Sequence, residues 1–470
     1  MVAALGAAAA FGPTLTGCGV LDPGMVVVNV GYQSKTINTV NAGTLMRDRG
    51  AFESALAEQG KKTGRTYRVV WQDFSSGAPL TAAMIATHVD IGSMGDYPLL
   101  TNGSKTKKFS DATTEFIATT GYNLRGSLNQ VVVPTTSTAK SLEDLRGKQI
   151  STSLGSAGDG MLSTALARVG LDKTDVHIAN QDPSIGAAAI EGGQVDALAQ
   201  FVPWPQLVVF RKQGRLLYDG GDNGVPTFHG VVTRRQFAGE HPEVMTAFVT
   251  AMQRTTDYIR SNPLAAAVRL GAITGIEPEV AYLYNGPNGL VTFDMPIKPQ
   301  FQESLEKVKT FLVKRGSVKK DFSIPNFINE KYVRDVLGDS YQARRDNLGN
   351  PTALTGTDSL CGLPVGDPAT ASEIWFAGHD STTPAATPSC ALRRLAGSSQ
   401  SARATYVPDT ITGTRLFADH ASWLIDPTAP IKRRYLPFAT DAGAADYRIS
   451  HPSTTPIDFT TAVTQSKTTE

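Results

Sequence analysis

The sequence predicts an α/β chain in which two small strand-and-helix units precede a third unit of different character. Three observations predict it. From Met25 to about Gly338, short β-branched runs alternate with segments of helical spacing, the rhythm of parallel sheets covered by helices. That rhythm starts afresh near Gln130. Beyond Asp339 the helical periodicity is lost, and Gly, Thr, Pro and Ser become frequent from Leu348 to Pro388. At 470 residues the chain exceeds a single core, and a scale of roughly 150 residues per domain suggests about three units.

In the first unit, Met25 to Tyr32 reads as a buried strand and Tyr67 to Trp71 as the next, with the helical spacing of Leu45, Phe52 and Leu56 between them. Leu80, Ala83, Met84 and Thr87 mark another helix before a third strand at Val89 to Gly92. This order builds a parallel sheet with right-handed crossovers. The second unit opens with Gln130 to Val133. Ser141 and Asp144 fit a capping box for a turn of helix, followed by a strand over Gln149 to Ser153 and a helix bearing Leu162, Ala165, Leu166 and Val169 on one face. Strands at Val176 to Ala179 and Val195 to Ala199 flank a helix at Ile185 to Ile190. Helices over Pro242 to Ile259 and Phe301 to Val313 return to the first unit. A linker is expected over 339–358, a small unit over 359–463, and a disordered tail over 464–470.

Composition excludes several classes. The formal net charge is +1 and no Lys/Arg stripe occurs, which argues against a nucleic-acid partner. Cysteines occur only at 18, 361 and 390, so no thiolate zinc site or cysteine nucleophile fits between Gly19 and Leu360. Neither a Ser-His-Asp spacing nor a metal-ligand cluster stands out there, and no cofactor or catalytic residue is assigned. The first 24 residues hold a short Ala-rich apolar run, Val2 to Phe11, ending in Leu15-Thr16-Gly17-Cys18. Small residues before a cleavage point suit a signal peptidase. The tetrapeptide resembles the lipobox of bacterial lipoproteins, which implies a lipid on Cys18 that tethers an exported protein to the membrane.

Three loops pair a strand end with a helix start: Phe74 to Pro79, Ser93 to Pro98 and Leu154 to Gly160. Unpaired N–H groups at a helix start attract anions, and open α/β sheets bind ligands at the carboxyl ends of their strands. Ser76 is a candidate N-cap, with Pro79 tolerated in the first turn. No Gly-Lys-Ser/Thr follows the Gly-rich loop, so a nucleotide is disfavoured.

The ordered series Val28 to Ser34, Gly50 to Glu53, Phe74 to Gly77, Val89 to Gly92, Gly95 to Pro98, Ser141 to Lys148, Gly192 to Ala197, Phe201 to Trp204 and Phe237 to Val244 resembles the nitrate/sulfonate/taurine class of periplasmic binding proteins. The resemblance covers about residues 25–338 and implies the type II two-lobed fold, with lobe one about 25–127 and 231–338 and lobe two about 128–230. It implies an ABC permease as partner and a small solute in the interlobe cleft. Gln33, Ser34, Ser76, Gly77, Gly95, Asp96 and Tyr97 would line lobe one, and Ser156, Ala157 and Trp204 lobe two. Asp96 would oppose an anion there, which leaves room for an amino-sulfonate or a heterocycle. Hinges would fall near Leu128-Asn129-Gln130 and Phe228-His229-Gly230, with His229 as hinge packing. Relatives that are enzymes, a thiamine-pyrimidine synthase and a sulfinate desulfinase, depend on cysteine chemistry this stretch lacks, so binding is expected over catalysis.

From Cys361 onward, Cys361-Gly362-Leu363-Pro364, Ala404 to Asp409, Ala421 to Ile425 and Leu436 to Thr440 resemble the nitrous-oxide reductase accessory lipoproteins, which handle copper. That implies a small α+β domain and an alternative function in copper handling. The family's Cys-Gly-Met is Cys361-Gly362-Leu363 here, and no methionine follows Met295. Cys361 and Cys390 could form a disulfide, or hold metal with His379 or His420. A periplasmic ligand sensor is a further alternative.

Overall fold

The computed structural model describes residues 24–467. Cys18 lies outside them. Eleven strands build the two lobes. β1 (Met25–Tyr32), β2 (Thr66–Asp73), β3 (Ile91–Gly95) and β4 (Thr114–Asn123) belong to lobe one. Lobe two holds β5 (Asn129–Pro134), β6 (Gln149–Thr152), β7 (His177–Asn180), β8 (Ala197–Phe201) and β9 (Gly214–Asp219). The chain then returns through β10 (Thr227–Arg234) and the short β11 (Thr292–Phe293). The first sheet runs β11-β4-β10-β3-β1-β2 and the second β7-β6-β8-β5-β9.

Neither sheet is purely parallel, which corrects the expected topology. β1 pairs in parallel with β2 and β3, and β6 with β7 and β8, but β10 runs antiparallel to β3 and β4, and β5 antiparallel to β8 and β9. The reason is connectivity. β5 and β10 enter their sheets from the other lobe, so they begin at the cleft, where the parallel strands end. The crossings themselves are 124–128 and 220–226, slightly earlier than the sequence suggested: Asn129 and Gln130 already pair with Phe201 and Gln200, and Phe228 with Tyr122. Ser127 Oγ donates to Asp219 Oδ2 at 3.0 Å and ties one crossing to the other.

Strand alternation sets the cores. Val131 and Val133 face one cluster with Ile150, Leu162 and Leu166, while Val132 joins Leu198, Leu207 and Val208 on the opposite face. The helix Pro242–Ser261 places Phe248 and Met252 on one side of lobe one, and Pro299–Lys314 places Phe301 and Leu305 on the other. The region around Ser141 is a three-residue 3-10 turn, Glu143–Leu145, and Asp144 Oδ2 accepts from the N–H groups of Lys140 and Ser141 at 2.7 and 3.0 Å, the latter being the backward bond of a capping box.

The expected linker begins as a helix, Ser340–Asp346, fastened to lobe one. Arg344 Nε donates to Asp294 Oδ1 at 3.0 Å, Lys298 Nζ to the Arg344 carbonyl at 2.6 Å, and Tyr341 to Glu330 at 2.6 Å. The accessory unit starts with a hairpin, Gly356–Asp358 with Leu363–Val365. A four-stranded antiparallel sheet follows (Thr383–Ala385, Ser372–Phe376, Ala402–Pro408, Arg415–Phe417), then a three-stranded one centred on Ser422–Ile425. A disulfide joins Cys361 to Cys390. The final helix, Phe459–Ser466, buries Ser466, so the tail is ordered further than expected.

The accessory unit grips both lobes. Tyr282, on the helix Pro278–Asn285, donates to Glu373 at 2.9 Å and packs 5.3 Å from the Tyr406 ring. Glu373 pairs with Arg415, which also reaches the Pro287 carbonyl. On the lobe-two side, Phe210 meets Phe417 at 5.0 Å between ring centroids.

Candidate functional site

The cleft lies where carboxyl ends of strands from both sheets meet. On lobe one, Gln33 follows β1 and donates from Nε2 to the Ser93 carbonyl at 3.1 Å. Ser34 is committed locally: its Oγ donates to Asp73 at 2.6 Å and its N–H to the same carboxylate at 2.8 Å. Ser76 occupies the N-cap of the helix Gly77–Ile85, but its side chain makes no capping bond. The sequence holds the reason. The third helical position, whose N–H a capping serine takes, is Pro79, which has none. The Ser76 hydroxyl is therefore left over, together with the N–H groups of the first turn.

Close approaches at three glycines define the contact. A Cβ on Gly77 would lie 2.3 Å from the Pro98 Cβ, so only glycine lets the two helix starts approach. A Cβ on Gly95 would lie 3.1 Å from the His229 ring and 3.4 Å from the Ala157 Cβ, which marks the line where the lobes touch. Tyr97 crosses that line and lies over Gly160, where any side chain would strike its ring. Asp96 is turned into the crossing strands. Its Oδ1 accepts from the Tyr97 N–H and its Oδ2 from the Thr227 hydroxyl, both at 2.9 Å, and Asn129 donates to Thr227 at 3.0 Å. Burial pushes its carboxyl up to about 6.

On lobe two, Ser156 caps the helix Ala157–Arg168 by accepting from the Asp159 N–H at 3.2 Å. Asp159 is held in turn by the Gly155 N–H at 3.0 Å and by Lys173. Arg315, from lobe one, stands 3.8 Å from Asp159 and donates to Ser163 at 3.1 Å, a latch between lobes. Trp204 begins the helix Trp204–Phe210, with Lys35 of lobe one 5.8 Å from its ring centroid. Ser75 donates to Asp182 at 3.2 Å. Two cavities flank the contact line. One of about 220 Å³ is lined by Gln33, Ser34, Lys35, Ser75 and Trp204, and one of about 320 Å³ by Gly77, Tyr97, Ser156, Asp159 and Arg315.

Sequence reasoning missed a set of buried polar atoms that no protein group satisfies: Ser93 Oγ, Thr152 Oγ1, Gln181 Oε1 and Gln200 Oε1. Thr152 ends β6 and Gln200 is next to the end of β8, both in lobe two, while Ser93 lies midway along β3 in lobe one. Gln200 Nε2 is anchored on Ser153 Oγ at 2.8 Å. Buried polar groups ordinarily find partners, and these four atoms have none among the described residues. The signal was present as a glutamine inside the fully buried strand ALAQF.

The accessory unit offers less chemistry. Asp358, Cys361 and Cys390 bring ligand-type atoms within 4.8 Å of one another, but the two sulfurs are bonded together and Asp358 accepts from the N–H groups of Leu360, Cys361 and Ala386.

Two α/β lobes joined by two crossings, with helix starts meeting along the line between them, constitute the fold of the two-lobed periplasmic binding proteins. Residues 110–266 match the family model described as NMT1/THI5 like. The taurine-binding periplasmic protein of Escherichia coli (strain K12) is 29% identical over 239 residues, half of this chain and 70% of that protein. The alkanesulfonate-binding protein SsuA from Xanthomonas axonopodis pv. citri superposes with a TM-score of 0.54 at 20% identity, over 66% of this chain and 99% of that one. The nitrate-binding protein NrtA from Synechocystis PCC 6803 gives 0.53 at 12% identity, over 72% of this chain and 95% of that one. Among the described residues, no helix is long and apolar enough to cross a membrane.

Proposed function

We propose that the chain is the extracytoplasmic solute-binding component of an ABC importer, capturing a small sulfonate, taurine or nitrate between its lobes and presenting it to a membrane permease. The observation that carries this reading is a set of unsatisfied polar groups on opposing lobes, Ser93 within β3 and Thr152 and Gln200 at or next to the ends of β6 and β8. A solute with several oxygens supplies acceptors to the hydroxyls and to the helix-start N–H groups left open by Pro79. Taurine adds an ammonium that matches the Gln200 carbonyl oxygen. The names of the relatives point to the same solutes, and to binding over catalysis. A lipid on Cys18 would hold the protein at the membrane.

The alternative of copper handling gains no support from the accessory unit, where the disulfide occupies both sulfurs. Titration calorimetry of the full chain against taurine, alkanesulfonates, nitrate and pyrimidines tests the reading. Saturable heat with a sulfonate or nitrate is expected. Silence from all four classes refutes it, and heat from pyrimidines alone redirects it.

A further inference from the structure

The crossing strand β10 carries a histidine whose surroundings exceed what hinge packing needs. His229 is 3% exposed and stands opposite Gly95 in the β3–β10 ladder. Its Nδ1 lies 2.6 Å from Asn38 Nδ2, and the same amide nitrogen lies 3.4 Å from the Gly121 carbonyl. The amide nitrogen is thus the donor to both, and Nδ1 is the acceptor. A neutral imidazole that accepts at Nδ1 carries its proton on Nε2. Burial does hold the ring neutral, pushing its titration down to about 3.

The Nε2 edge points to the contact between lobes. Nε2 and Cε1 lie 3.2 and 3.1 Å from where a Gly95 Cβ would be, beside the Ala157 Cβ of lobe two. The ring of Phe201, at the end of β8, is 6.5 Å away. Among the described residues, no hydrogen bond from Nε2 to a protein acceptor is made, while the residue as a whole is 3% exposed. With the tautomer fixed from behind by Asn38, the Nε2–H is left free for an outside acceptor.

We propose that His229 is a ligand-contacting residue on the cleft floor that donates its Nε2–H to an oxygen of the bound solute, with Asn38 fixing the tautomer. The inference rests on the solute-capture reading and deepens it. A neutral donor suits a sulfonate or nitrate oxygen without demanding a counter-charge. It distinguishes such solutes from a cationic one, which would meet a donor where it needs an acceptor.

The test uses the full chain and taurine, hexanesulfonate and nitrate as probes. His229→Phe keeps the ring volume and removes the donor; an affinity loss of about tenfold or more is expected for whichever probe the wild type binds. His229→Gln, which restores a neutral N–H, should recover part of that loss. In the wild type, nitrogen NMR of the histidines should show the Nε2–H tautomer, and the Nε2 signal of His229 should move on addition of the probe. Unchanged affinity in His229→Phe overturns the proposal while leaving solute capture standing. A wild type that binds none of the probes overturns both. Should His229→Phe fail to fold, the wild-type NMR decides, and an unmoved Nε2 signal refutes the contact.

Discussion

Replacing Asp96 by Asn should stabilise the protein at neutral pH. Asp96 is 2% exposed and no cation pairs with it; the Tyr97 N–H and the Thr227 hydroxyl donate to it, and the backbone of Phe228 and of Asp96 itself also favours its charge. Its titration is moved from 3.8 to about 6, chiefly by burial. The folded state therefore holds the proton more tightly than the unfolded chain. Between pH 3.8 and about 6 the native protein binds more protons, so this group lowers stability as pH rises through that window and adds no slope above it. The full penalty at pH 7 is about 3 kcal/mol. Asn is neutral and keeps the carbonyl that accepts from Tyr97, but it cannot accept from Thr227, which returns about 1 kcal/mol. Asp96→Asn should thus gain about 2 kcal/mol at pH 7 and lose its advantage at pH 4. Urea unfolding of both proteins across pH 4–8 measures it. Parallel stability curves through the window would refute the reasoning. Asp219, buried at the other crossing and likewise raised to about 6, should behave similarly when replaced by Asn.

Two further outcomes follow from contacts remote from the cleft floor. Arg315→Ala removes the latch onto Asp159 and Ser163; as a half-exposed interlobe contact it should speed solute release two- to fivefold, equivalent to roughly 0.5–1 kcal/mol, measured by stopped-flow displacement. Replacing Cys361 and Cys390 together by Ser opens a loop spanning 29 positions and should destabilise the accessory unit by about 3–4 kcal/mol. Hydrogen exchange should then quicken in the segment 356–397 while lobe two keeps its protection, and uniform protection would contradict this.

What the sequence made legible was local. Val28 and Val30, or Leu162 and Leu166, reveal strand and helix through spacing alone, and the Gly-rich starts at Gly95 and Ser156 mark strand ends. The antiparallel crossings were hidden, because the direction of β5 and β10 depends on which lobe the chain comes from. The helix Ser340–Asp346 read as linker because its main support, the Asp294 carboxylate, lies 50 residues before Arg344. Pro79 could have been weighed against Ser76, since a missing N–H is written in the sequence. Gln200 could too, as a glutamine inside the apolar run ALAQF; Ser93 and Thr152 could not, since each looks like an ordinary polar residue in a strand.

The grip of the accessory unit on both lobes has a mechanical consequence. Any swing of lobe two about the crossings would have to change the spacing between Phe210 and the helix Pro278–Asn285. The third unit must then either follow lobe two, tearing Tyr282 from Glu373, or stay behind, peeling Phe417 from Phe210. Either route exposes aromatic surface that a bare pair of jaws never covers. If the proposed solute capture requires that swing, these contacts would oppose it, and every 1.4 kcal/mol they add would make the open form tenfold rarer. A binding protein braced in this way would trade speed of capture for retention, and release would then depend on its membrane partner supplying the force that unbends it.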